Sequence, residues 1–166
     1  MPLIQLFLDI CLFRKGPQDV PYSSMLLSVA IALNLAVSIL LGLFDLDGVA
    51  AVMQSVLAVL LLTGFLWATL KISHKSSRFI QTAAAAIGCD GLISLAGLLT
   101  LSAVHFFPDF AGAVGIPLLL LMLWQMAVIG HIVSQALSIG FWGGMGLALV
   151  YTALSFRIMM GMFPPS

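Results

Sequence analysis

No glutamate occurs in this chain, and its acidic residues are six aspartates: Asp9, Asp19, Asp45, Asp47, Asp90 and Asp109. Lysine and arginine also number six, so the net charge is zero and only 7% of residues are charged. Such a chain has no basic footprint for nucleic acid. Cysteine is limited to Cys11 and Cys89, too few for a disulfide scaffold. Cys11 lies in a short apolar segment ahead of the first long apolar run and Cys89 lies inside a later run, so no disulfide is expected. His74, His105 and His131 show no H-x-x-x-H spacing, and no C-x-x-C occurs, so no metal site is expected. Glycine-rich nucleotide loops are missing as well, which leaves no expected cofactor. Ser23, Ser24, Ser76 and Ser77 lack an accompanying base and acid. No catalytic residue emerges, and an enzyme is not expected.

What the chain does have is apolar surface. Hydrophobic residues make up 62% of the 166, with a mean hydropathy of +1.21. Those values lie far outside the range of a soluble globule and imply a membrane protein of one domain. A bilayer core of roughly 30 Å needs about 20 apolar residues in a helix. Five such runs are readable, at about 24–44, 49–70, 79–104, 116–137 and 140–160. The breaks have physical causes: "DLDG" is a tight polar turn, "KISHKSSR" a charged loop, and "HFFPDFAGAVGIP" carries Pro108, Asp109 and Pro117. Only "SQALSIG" is uncharged, so the last two spans are expected to join through a short turn or as a broken pair. The expectation is an all-α integral membrane bundle, with residues 1–22 as a lead-in and 23–166 as the five-helix transmembrane domain.

Five of the six basic residues, Arg14, Lys15, Lys71, Lys75 and Arg78, flank the same ends of these spans. The positive-inside rule makes that side cytoplasmic, with the N-terminus there and the C-terminal "MFPPS" opposite, beside Asp45, Asp47 and Asp109. Arg157 is the exception and can snorkel to the headgroups. Tyr22, Trp67, Phe79, Phe106, Phe107 and Trp142 suit an interfacial aromatic belt, whereas Trp124 does not. The segment Leu3 to Phe13 is too short to cross. It places Gln5 and Asp9 one turn apart against a broad apolar face, which predicts an interfacial amphipathic helix, with docking against the bundle as the alternative. Its basic pair follows the apolar run and no A-x-A site appears, so it is read as retained and not as a signal peptide.

Inside the third span stands Asp90, in "AAAAIGCDGLISLAGLLT". A carboxylate at mid-helix costs roughly 2.5–3.5 kcal/mol on insertion scales, so Asp90 is expected to face protein or water. Helical spacing puts Ala83, Ala86, Asp90, Ser94 and Gly97 near one stripe, where another helix can approach closely. Counting residues along each span places Asn34, Asp90 and Gln125 at similar depth, with His131 about one turn closer to the cytoplasm. Ala30, Asn34, Ser38 and Gly42 form a small-xxx-small pattern in span one, and Gly140 with Gly144 a G-x-x-x-G spacing in span five. The polar layer has two readings: interhelical hydrogen bonding, which the single acid favours, or a proton or ion relay, since carriers pair Asp with His.

The amphipathic lead-in, "GPQDVP" and five closely spaced spans resemble the Yip1-domain membrane proteins, in particular their small bacterial members. The closest likeness is in "LLLLMLWQMAVIGHIVSQALSIGFWGGMGLALVYTAL", where Trp124 and a short uncharged link precede a glycine-containing last helix. The resemblance implies a bacterial inner membrane, and with the helix-packing patterns and the interfacial helix the expected function is a non-enzymatic scaffold, membrane-organising protein or accessory subunit. Its partners would be the lipid bilayer and other membrane proteins or a second copy of itself. The long polar N-terminal region of the eukaryotic members, which are trafficking factors, has no counterpart here. A small proton- or ion-coupled transporter is the other expectation.

Overall fold

The computed structural model describes residues 3–106 and 112–163, except the side chain of His105. These residues form six α-helices and two 3-10 turns, with no strand among them. Helix α1 (Leu3–Cys11) is followed by a 3-10 turn at Pro17–Asp19 and by five long helices: α2 (Ser24–Gly42), α3 (Gly48–Ile72), α4 (Phe79–Phe106), α5 (Gly115–Leu137) and α6 (Phe141–Met162). Each of the five is long and apolar enough to cross a membrane. The shortest, α2, has 19 residues, which at 1.5 Å per residue is about 28 Å.

The helix ends are written in the sequence. Ser23 Oγ accepts the Leu26 N–H at 3.2 Å and starts α2, while Asp47 Oδ1 accepts the Ala50 N–H at 2.8 Å and starts α3. The polar turn "DLDG" therefore caps α3, three residues after α2 has ended at Gly42. The link between α5 and α6 is a turn: Ser138 takes a left-handed conformation at φ 53°, ψ 44°, and the Ile139 N–H reaches back to Ser134 O at 3.0 Å. Across this end, Arg78 Nη1 donates to Ala136 O at 3.2 Å and Lys75 Nζ donates to Leu137 O. Two of the five basic residues thus satisfy carbonyls that the last turn of α5 leaves without partners. Lys71 instead sits 4.4 Å from the Trp67 ring centroid, and Lys15 pairs with Asp9 at 3.6 Å.

Helix α2 packs on α3 and α4, α4 on α5, and α5 on α6, with α3 also touching α6. The interior is built of small residues: Ala51, Ala83, Ala84, Ala85, Ala86 and Ala148 are almost wholly buried. Large apolar side chains such as Leu33, Leu60, Leu99, Leu120 and Val150 point outward. This inverts a soluble core: small residues inside let the helix backbones approach closely, and the large apolar side chains lie outside. Tyr22, Trp67, Phe106 and Trp142 are exposed, the last at 83%.

Four placements differ from the sequence reading. His105, expected in a loop, lies in the last turns of α4, because the helix continues to Phe106. Gly97 is buried, yet a Cβ there would meet nothing within 4 Å, so it marks no helix contact. Gly140 is exposed and extended (φ −60°, ψ 153°) ahead of α6, because it caps that helix and does not pack in it. Gly144 alone makes the close contact expected of the pair: a Cβ there would run into Gly130 O and lie 2.6 Å from Ser134 Cβ. The Phe107, Pro108 and Asp109 assignments and the "PPS" terminus lie outside the described residues.

Candidate functional site

Asp90 is the polar centre of the bundle. Its carboxyl sits on α4 where α2 and α5 both approach, and each oxygen accepts a hydrogen bond from a different helix. Asn34 Nδ2 of α2 donates to Oδ2 at 2.6 Å, and Gln125 Nε2 of α5 donates to Oδ1. Asn34, 2% exposed, also donates to Ile87 O at 3.2 Å and accepts from Ser38 Oγ at 3.4 Å through its own Oδ1. One carboxyl therefore joins three helices. In a low-dielectric interior the loss of such bonds is costly.

Packing residues place this centre. Ala30 is buried on the Asn34 side of α2, and a Cβ added at Gly42 would lie 3.1 Å from Ala51 Cβ, which brings α2 onto α3. Ala83 and Ala86 are fully buried on the face of α4 that Asp90 shares, with Ser94 partly buried one turn further on. One acceptor is left over. Gln125 Oε1 is buried and takes no hydrogen bond from the described residues. Turning the amide over would set oxygen against the carboxylate, so the orientation with Nε2 toward Asp90 is the favourable one.

His131 does not join this layer. Its Nε2 lies 2.9 Å from Lys15 O, and its ring meets Phe13 edge-on at a centroid distance of 5.3 Å. It belongs to a second constellation that residue spacing did not reveal. Four backbone carbonyls of the N-terminal segment each meet one side chain of α4 or α5. Cys89 Sγ reaches Phe7 O at 3.6 Å, Trp124 Nε1 donates to Cys11 O at 2.9 Å, His131 meets Lys15 O, and Gln81 Nε2 donates to Val20 O at 2.8 Å.

Helix α1 is accordingly docked on the bundle, with Leu6, Phe7, Ile10 and Cys11 buried and Ile10 at 0% exposure. Phe7 lies where a Cβ at Gly88 would come within 2.6 Å of its ring. Leu3, Ile4 and Leu8 remain exposed on the other side. Arg14 is exposed just beyond the helix, where Phe13 turns the chain at φ 61°. The available signal was Trp124: an indole N–H in the middle of a long apolar run needs an acceptor, and the carbonyls of its own helix are already used.

Chemically, the layer offers hydrogen bonding and one acid. Among the described residues no three His, Cys, Asp or Glu side chains are grouped to hold a metal ion. No protein-family model matches the chain, and neither a curated protein nor a solved structure matches it, so the resemblance to the Yip1-domain proteins gains no support from these comparisons.

Proposed function

We propose that the chain is a non-enzymatic integral membrane protein that acts as a scaffold or accessory subunit. Its five long helices cross the bilayer, and α1 lies at the cytoplasmic boundary, docked on α4 and α5. The observation that carries this reading is the occupancy of the Asp90 carboxyl: both oxygens are held by amides of neighbouring helices. An acid engaged in this way clamps a bundle. A relay would need His131 beside it, and His131 is committed to the lead-in segment.

The basic cluster Arg14, Lys15, Lys71, Lys75 and Arg78 supports a cytoplasmic assignment for that end. The exposed aromatic residues support burial of the helices between two headgroup layers. Phe7 meets α4 nine residues from its start at Phe79, about 13 Å along the axis. Helix α4 exceeds a 30 Å core by about 12 Å, so α1 would sit several ångströms inside the hydrocarbon edge, the usual depth of an interfacial helix. A bacterial inner membrane suits the resemblance noted above. A scaffold of this type should co-purify from its native membrane, in mild detergent, with a membrane protein or a second copy in fixed stoichiometry. A lone monomer in several mild detergents would count against the proposal.

A second reading, a small proton- or ion-coupled carrier built on Asp90, Asn34 and Gln125 without His131, draws on one observation. Gln125 Oε1 is an unused acceptor beside the carboxyl, where a transported cation would find oxygen.

A further inference from the structure

Cys11 and Cys89 are 78 positions apart and on different helices, and the fold buries them together. The backbone makes them neighbours: Cys89 Sγ lies 3.6 Å from Phe7 O, and Cys11 stands one turn after Phe7 on the same buried face of α1. These are the chain's entire complement of cysteine. A buried structural cysteine is ordinarily inert because it faces hydrocarbon; here the Cys89 thiol is turned to α1, one helical turn from a second cysteine.

Helix α1 is also the element best able to leave. Its nine residues are joined to the bundle through a 3-10 turn, and its first turn borders an apolar groove of about 380 Å³ shared with α2 and α4. Isolated helices of that length are marginal, so α1 keeps its shape only while docked. Local opening of this segment would expose both thiols together.

We propose that Cys11 and Cys89 form a reversible redox staple that fixes α1 to α4. With a dissolved disulfide such as oxidised glutathione as oxidant, the thiolate of Cys11 attacks one of its sulfurs and expels a thiolate, leaving a mixed disulfide on Cys11. The thiolate of Cys89 attacks the Cys11 sulfur, forms the S–S bond and expels the second small thiolate. The two protein thiols lose two protons and two electrons, and the oxidant is reduced to two thiols. Closing the bond holds α1 on the bundle; reduction leaves it on hydrogen bonds and apolar contact alone.

The test uses the full chain in mild detergent, treated with oxidised glutathione and then denatured with a maleimide polymer that adds mass to each free thiol. The expected result is a monomer with no labelled thiol, both thiols labelling after reduction. Persistent labelling of both thiols, a stable glutathione adduct, or a disulfide-linked dimer would each overturn the proposal. Hydrogen exchange supplies the second readout: oxidation should slow exchange of residues 3–11 at least tenfold, and reduction should restore it. A bond that forms without slowing that segment would refute the staple. Cys11→Ser should keep one labelled thiol and show no response of exchange to the oxidant; an undiminished response would refute it equally.

Discussion

Replacing Gly144 by alanine is expected to force α5 and α6 apart, with a loss of about 3 kcal/mol or more, the upper range for overpacking. The added methyl would meet Gly130 O, and would lie 2.6 Å from Ser134 Cβ and 2.9 Å from Ser134 N. Two of these three atoms are backbone, so no side-chain rotation relieves the contact. Separation would also expose Ala148 and the buried face of α5 from Val128 to Ser134. Gly146→Ala provides the control, since a Cβ there meets nothing within 4 Å. Thermal unfolding in mild detergent should show a large fall for Gly144→Ala and little change for Gly146→Ala. Equal behaviour of the two would mean that the α5–α6 contact is not as close as described.

The second large effect is expected at Asp90. Asp90→Ala removes the acceptor for two amides at once, and leaves Gln125 with neither of its polar atoms bonded. Each buried polar group left unsatisfied costs about 1–3 kcal/mol, so a total near 3 kcal/mol is expected for Asp90→Ala. Asn34 is partly protected, because its Nδ2 also reaches Ile87 O. Asp90→Asn should cost about half as much, since a carboxamide keeps one acceptor oxygen and sets an amino group against the other donor. Combining Asp90→Ala with Gln125→Ala should cost less than the sum of the two, because the second change removes a group the first had orphaned. An additive pair would show that the Asp90–Gln125 bond carries little energy.

How far the sequence led can be judged from these residues. The five long helices were legible because each is one long apolar run, and the breaks carry residues that cap helices, Asp47 above all. The meeting of Asn34, Asp90 and Gln125 was legible from depth alone, since a rise of 1.5 Å per residue converts position into height. Height does not give azimuth. His131 was grouped with the layer by its depth, yet its side chain is turned toward Lys15 O. Docking of α1 was one of two readings, and the contacts that hold it were illegible for a related reason: the four polar contacts of the N-terminal segment are to backbone carbonyls, which every residue possesses. Cys11 and Cys89 were judged apart because one lies before the spans and the other within them, and only the docking of α1 makes them neighbours. G-x-x-x-G misled at Gly140, because a glycine at the start of a helix caps it.

The central claim is that the Asp90 layer clamps the bundle and does not conduct. The most direct measurement is proton and sodium flux into sealed liposomes containing the purified chain, with a pH or sodium gradient, beside the Asp90→Asn variant and empty vesicles. The account predicts no flux above empty vesicles for either protein, while Asp90→Asn unfolds at a lower temperature. A flux carried by the wild-type chain and abolished by Asp90→Asn would contradict it.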